Sequence, residues 1–259
     1  MKSTISIIVP CYNQANYLTE TVESTLRSTY PKLEVIIIND GSTDNSKEIA
    51  EALTERYKNV YLLNQKNSGV TKARNAGIEF SKAKYLLPLD ADDLISPEYV
   101  SNAIKILDEK PEVKVVYCDA VKFDEKGERS WKLKPFNLKS LARDNMIFVS
   151  GVFRRADAIT VGGFSDKMKM GREDWEFWIK MLKNGGEVVK LPFVGFFYRI
   201  HPESKRKKTG TALKKRERIN YLNIHHSDFF KRELNGPLRF QRTWSKPYNT
   251  VLKFLGLLS

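Results

Sequence analysis

YLLPLDADDL, residues 85–94, joins an apolar run to three carboxylates, Asp90, Asp92 and Asp93, within four positions. Tyr85 to Leu89 reads as a buried strand, and the acids stand at its carboxyl end. Charge held at the edge of an apolar interior costs several kcal/mol, as an order of magnitude, unless something neutralises it. A basic side chain, bulk water or a cation would serve. Oxygen ligands at alternate positions suit hard divalent cations such as Mg2+ or Mn2+, and a protein that supplies only one or two of them leaves positions for substrate phosphates. A solvated acidic turn is the competing reading.

Outward from this stretch, strand and helix patterns alternate. ISIIVP (5–10) and LEVIIIND (33–40) are β-branched runs of buried-strand type. Between them Leu18, Val22 and Leu26 recur at a spacing of four, a helical stripe. A helix is expected over about 44–57, a strand at VYLLN (60–64) and a helix at KARNAGIEFSKA (72–83). This alternation implies right-handed β-α-β units and a largely parallel sheet. Open parallel sheets bind ligands beyond the carboxyl ends of their strands. CYN, NDGS and DADD all fall at such ends.

Downstream, Ser96 reads as an N-cap with Pro97 in the first turn of a helix reaching Glu109. A strand is expected at 113–123, irregular chain over 124–145, a helix within GREDWEFWIKMLKNGG (171–186) closed by its paired glycines, and a strand at VVKLPFVGFFYRI (188–200). The domain reading is a core of residues 1–204 and a basic, helical extension over 205–259. No internal repeat is visible.

Composition narrows the class. The 259 residues are 41% hydrophobic, enough for a sizeable core. No apolar run reaches the roughly 18 residues of a membrane span, and the amino terminus carries no signal-peptide pattern, so a cytoplasmic protein is expected. Cys11 and Cys118 lack metal-ligand spacing and read as free thiols. Of the net +13, residues 199–259 hold 15 Lys and Arg against 4 Asp and Glu. That basic tail points to an anionic membrane surface, a diphosphate-bearing acceptor or nucleic acid. Its aromatics Tyr221, Phe229 and Phe230 suit a buried helix face better than a base-stacking platform, which disfavours nucleic acid. His225 and His226 read as surface residues.

Three further positions carry chemistry. Asp40, at a strand end beside Gly41, suits either a turn or the imide N–H of a uracil. Arg74 could pair with the nearby acids or with phosphate. Glu173 and Asp174 open a helix, where the dipole alone favours acids. Trp175 and Trp178 beside them are costly to expose and imply a lined pocket, in which a carboxylate would act as general base.

IVPCYN (8–13), IIINDGSTDNS (36–46), the long run 69–100 through DADD, VGGF (161–164) and GREDWEFWIKML (171–182) together resemble the family 2 glycosyltransferases over about residues 5–201. The resemblance implies a GT-A fold, an inverting mechanism and a nucleotide-diphospho-sugar donor. It would place Pro10, Tyr12 and Asn13 at the nucleotide, with Asp40 on the base and Arg74 helping to hold it. Asp90 and Asp92 match the DxD motif, Asp90 on the donor side and Asp92 as metal ligand; the role of Asp93 is left open. Asp174 matches the catalytic base, with Glu173 orienting it or touching the acceptor and Trp175 lining the acceptor side. Within YRIH (198–201), Arg199 and His201 would reach the leaving diphosphate or the metal. The implied cofactor is Mn2+ or Mg2+, and the donor a UDP-sugar, with dTDP as alternative. No QxxRW segment of processive polymerases is present, which favours single addition to a glycan or lipid-linked acceptor in bacterial surface polysaccharide synthesis, at the inner face of the plasma membrane. The rivals are a sugar nucleotidyltransferase, for which a Gly-rich phosphate loop is missing, and a non-catalytic nucleotide-sugar or nucleic-acid binding protein.

Overall fold

The structure, a computed structural model, describes residues 4–201 and 210–258. The chain divides into two compact units. The first comprises Met1–Leu133, Phe148–Phe164 and Gly186–His201; the second comprises Lys134–Ile147, Ser165–Gly185 and Pro202–Ser259.

All nine strands found among the described residues lie in the first unit. They are β1 (Ile5–Cys11), β2 (Leu33–Asn39), β3 (Val60–Asn64), β4 (Tyr85–Pro88), β5 (Leu94–Ile95), β6 (Val113–Asp124), β7 (Gly127–Trp131), β8 (Val152–Arg154) and β9 (Glu187–Arg199). They form one sheet in the order β3-β2-β1-β4-β8-β6-β9-β5, with β7 on the side of β6. Every residue of β1 is buried, as the unbroken β-branched run demands of a strand covered on both faces. Its register sets Cys11 beside Asn39 and Ile8 beside Pro88, so β1, β2 and β4 run parallel; β1 and β2 end together, and β4 stops opposite Ile8.

Four helices connect these strands: α1 (Leu18–Leu26), α2 (Ser46–Arg56), α3 (Val70–Phe80) and α4 (Tyr99–Glu109). Helix α1 buries Leu18 and Val22 of the expected stripe, together with Thr21, Ser24 and Thr25, while Leu26 is half-buried. Beyond β4 the sheet turns mixed, because β8 is antiparallel to both β4 and β6 while β6 and β9 are parallel. The expected parallel order therefore describes β3 to β4. Strand β5 is too short to show a period. In β7, GERSW has no apolar alternation; it is a strand because the turn at Gly127, φ 108°, folds it back on β6. Ser96 is not the cap of α4: Glu98 stands there, with no side-chain capping bond.

The second unit holds α5 (Leu138–Leu141), α7 (Glu173–Leu182), α8 (Ala212–His225), α9 (Ser227–Leu234) and α10 (Ser245–Phe254); α6 (Arg155–Thr160) belongs to the first. The tail is helical as expected, but it shares its unit with residues 134–147 and 165–185. Phe229, Phe230 and Leu234 are fully buried. His226 is buried as well, against the expectation of a surface residue: its Nε2 lies 3.1 Å from Oε1 of Glu176, itself 2% exposed. A buried carboxylate needs such a partner.

Gly77 shows how closely α3 lies on the sheet. A Cβ there would stand 2.5 Å from Ile8 Cγ2 and 3.0 Å from Ile38 Cδ1. Gly77→Ala should destabilise by about 1–3 kcal/mol through overpacking, read as a lower urea midpoint at unchanged slope.

Candidate active site

In the first unit, the loops after β1 and β2 are laced together. Asn13 adopts the left-handed conformation (φ 55°), which asparagine tolerates. Its N–H donates to Ser42 Oγ at 3.1 Å and its Oδ1 accepts from Thr43 N at 2.8 Å. Ala15 N donates to Asp44 Oδ2 at 3.1 Å. Tyr12 is 45% exposed, available to a flat ligand. Pro10, by contrast, is buried in β1 opposite Ile38. Its ring belongs to the core and presents no surface to a nucleotide.

Asp40 is 4% exposed and already accepts three hydrogen bonds. Gln65 Nε2 at 2.6 Å and Ser68 N at 2.8 Å reach Oδ1, and Gly69 N at 2.8 Å reaches Oδ2. Gly69 is the N-cap of α3, with φ 92°. Asp40 therefore holds the loop that starts α3, and of about four carboxylate acceptor positions one is left for a base. Gln65 and Ser68 carried no sequence signal, because nothing in their order marks them as partners of a residue 25 and 28 positions away.

The acids after β4 are neutralised separately. Asp90 Oδ1 accepts from Arg74 Nη2 at 2.6 Å, and Arg74, 2% exposed, lies 5.3 Å from the Phe164 ring centroid. Of the two partners open to it, Arg74 takes the acid. Asp93 is 1% exposed and accepts from Arg199 N at 2.9 Å. Burial, with Asp92 and Asp90 nearby, pushes its carboxyl well above the usual range. Asp92 Oδ2 lies 2.8 Å from His201 Nε2. Burial and then the charge of Asp90 push Asp92 up, opposed by His201. Arg199 is committed within the protein: Nε donates to Asp92 O at 2.8 Å, Nη2 to Glu20 Oε2 at 2.6 Å, and the guanidinium lies over Tyr17 and Phe123. It positions the acid loop, whatever else it reaches.

In the second unit, Arg172 caps α7 in the left-handed conformation, φ 63°. Asp174 follows in the first turn. Its Oδ2 accepts from Asn145 Nδ2 at 2.7 Å and its Oδ1 from its neighbour's backbone, Trp175 N, at 2.9 Å. Asn145 lies in the stretch read as irregular and was not foreseen. Trp175 and Trp178 are wholly buried and donate to Leu141 O at 2.6 Å and Ile147 O at 3.0 Å. They are the core under the helix rather than the wall of a pocket, so Trp175 does not line the acceptor side with its own surface. Asp144, next to Asn145, accepts from Arg172 and from Arg242, the latter at 2.6 Å.

A family model described as Glycosyl transferase family 2 matches residues 6–176. The chain belongs to that family. Its sequence is 42% identical over 138 residues to the uncharacterized glycosyltransferase YibD of Escherichia coli K12, a match covering 52% of the chain and 40% of that protein. The chain spans about two-fifths of the length of such curated relatives. Among solved structures, S. aureus TarS 1–349 in complex with UDP-GlcNAc superposes with a TM-score of 0.72 at 20% identity, covering 98% of the chain and 76% of TarS. The mannosyltransferase PcManGT of Pyrobaculum calidifontis, in complex with GDP-Man and Mn2+, gives 0.65 at 18% identity, covering 99% and 75%. At these identities the likeness carries the fold, GT-A, and no residue roles.

Asp144 offers a pH test. Burial opposes its ionisation, but Arg172 and Arg242 outweigh it and hold the carboxyl below its ordinary 3.8. A depressed native pKa contributes stability above 3.8 that is lost as pH falls through the native value. Asp144→Asn should therefore lower the urea midpoint at neutral pH and converge on wild type as the pH drops below 3.8. With 35% of the side chain exposed, screening keeps the effect near about 1 kcal/mol or less.

Proposed function

We propose that the chain transfers a sugar, with inversion, from a nucleotide-diphospho-sugar to a hydroxyl of a glycan or lipid-linked acceptor. The observation that carries this reading is the convergence of Tyr12, Asp40 and Asp90–Asp93 at the carboxyl ends of the parallel strands β1, β2 and β4, where such sheets take ligands. Membership of the family and the nucleotide sugars seen in the two structural neighbours support it.

Tyr12 flanks the base and Asp40 offers its remaining acceptor position to the imide of uracil, so UDP is the expected nucleotide and dTDP the alternative. Asp92 and His201 fit a divalent cation, Mn2+ or Mg2+, being a carboxylate oxygen and an imidazole nitrogen turned to each other at 2.8 Å. Among the described residues no third Asp, Glu, His or Cys completes a closed ligand set, which suits an ion shared with the donor's phosphates. When bound, such a cation supplies charge neutralisation for the departing nucleoside diphosphate. Asp90 serves the donor through Arg74, which it holds in place.

Asp174 is the proposed base. Its Oδ2, oriented by Asn145, takes the proton of the attacking hydroxyl; the oxygen then bonds to the sugar C1 as the C1–O bond to the diphosphate breaks. One displacement inverts the anomeric centre, so an α-linked donor yields a β-linked product. Glu173 would contact or orient the acceptor.

We further propose a location at the inner face of the membrane. Of the basic stretch 204–218, which would also suit an anionic leaflet, residues 204–209 lie outside the described residues. α10 supplies a different feature: Trp244, Tyr248, Val251 and Leu255 recur at helical spacing and are each more than half exposed, with Lys246 and Lys253 nearby. That combination suits an interfacial helix on anionic lipid. Among the described residues no helix is long and apolar enough to cross a membrane. Sedimentation with anionic vesicles should fall on Tyr248→Ser with Phe254→Ser; equal binding to neutral and anionic vesicles would end this assignment.

Calorimetry with UDP, dTDP, GDP and CDP, in Mn2+ and in EDTA, tests the donor reading. One nucleotide should bind in a metal-dependent way and lose that binding in Asp92→Ala; binding by none of them would overturn it. Asp174→Asn should lower kcat by about 10²–10⁴-fold with nucleotide binding unchanged, which separates the base from the donor residues.

A further inference from the structure

The second unit gathers four basic side chains close enough to the proposed base and to one another to interact. Arg172 and Arg242 both donate to the same oxygen of Asp144, and their guanidinium carbons lie 5.9 and 5.5 Å from the Trp175 ring centroid. Arg218 is 7% exposed. Among the described residues its hydrogen bonds run only from Nη1, to Met170 O at 3.2 Å and Gly171 O at 3.3 Å, both at the long end of the range. Its remaining donors are uncommitted there. Lys215, one turn earlier on α8, lies over the Phe240 ring at 3.9 Å.

These four cations feel one another. Burial first, then Arg172 and Arg242, pull Arg218 down to about 10, with Asp174 and Asp144 opposing. Lys215 is lowered by burial and then by Arg242, Arg218 and Arg172, with Asp144 opposing. Asp144 is shared between two arginines, and Asp174 accepts from Asn145. Like charges concentrated beside a reacting carboxylate are unfavourable unless an anion completes them. Arginine forks match a phosphoryl group, and several arginines around one point suit its oxygens better than a single carboxylate plane.

We infer that Arg172, Arg218, Arg242 and Lys215 form a phosphate-binding subsite that holds a phosphoryl group of the acceptor beside Asp174. The inference rests on the reading of Asp174 as the acceptor-side base. The acceptor is then a phosphorylated molecule, whether a polyol or glycan phosphate or an isoprenoid diphosphate, and the three residues from the tail, Arg218, Arg242 and Lys215, select it. Two of the cations also suppress the protonation of Asp144, which keeps the loop bearing Asn145 anchored.

The test is calorimetric titration of the full chain in EDTA, which removes metal-dependent binding on the donor side. The probes are sn-glycerol 3-phosphate and farnesyl diphosphate, one for each phosphate source, with glycerol and glucuronate as uncharged and carboxylate controls. At least one phosphate probe should bind, weakening as NaCl rises, and Arg218→Gln or Lys215→Gln should weaken it about tenfold, the scale of one lost charge-assisted hydrogen bond. Lys215→Gln alters a partly exposed side chain, so it tests the site even if Arg218→Gln fails to fold. UDP binding with Mn2+, measured on the same variants, should stay unchanged. Binding of glucuronate as tight as that of the phosphates, binding insensitive to the substitutions, or no phosphate binding in protein that binds UDP would each overturn the subsite. Loss of UDP binding in wild type would instead strike the donor reading, and the two failures are distinguishable.

Discussion

Three carboxylates at the end of one buried strand have to be neutralised, and the first unit is arranged around how this is done. Asp90, Asp92 and Asp93 each take a different partner from a different element: Arg74 from α3, His201 after β9, and the backbone N–H of Arg199 at the end of β9. Removing Asp90 would take a carboxylate partner from the buried Arg74 guanidinium, the costly side of such a pair to leave. The acid loop is thus a tie among α3, β4 and β9, and Arg199 extends it to α1 through Glu20.

The same rule governs Asp40. Its three donors come from residues 65–69, so a residue at the end of β2 fixes the start of α3 and hence the direction from which Arg74 approaches Asp90. Gly77 allows this approach by letting α3 lie against Ile8 and Ile38 without a side chain between. Asp40 and the Arg74–Asp90 pair are therefore coupled through one helix. Packing on its lower face and hydrogen bonding at its amino end set where the guanidinium sits.

How much was legible follows from which signals are local. Strands β1 to β4 and helices α1 to α4 showed themselves through unbroken β-branched runs and helical spacing, and β3 falls at the residues expected. The ends of β1, β2 and β4 were legible as polar clusters after apolar runs, and their adjacency follows from parallel topology. What stayed hidden depends on distant partners. β5 and β7 are strands because β9 and β6 pair with them. Trp175 and Trp178 were misread because aromatic residues beside acids fit a pocket and a core equally well until burial is known. His226 was misread because Glu176, its partner, lies 50 positions away. Asn145 and Asp144 sat in a stretch with no period to interpret.

The basic tail shows why net charge by itself misleads. Fifteen Lys and Arg after residue 198 look like a solvated appendage when counted, and an appendage would spread them to reduce repulsion. Arg218 and Arg242 instead turn to the segment that carries Asp174: one donates to the carbonyls of Met170 and Gly171, the other to Asp144. Burial first, and then repulsion from Arg172 and Arg242, lowers Arg218, so these cations are held together against an electrostatic cost. Asp174, the carboxylate proposed as the base, is among the acids that Arg218 feels, so the tail's charge is present at that residue. Its charge belongs to the chemistry of the site as much as to any surface the protein visits.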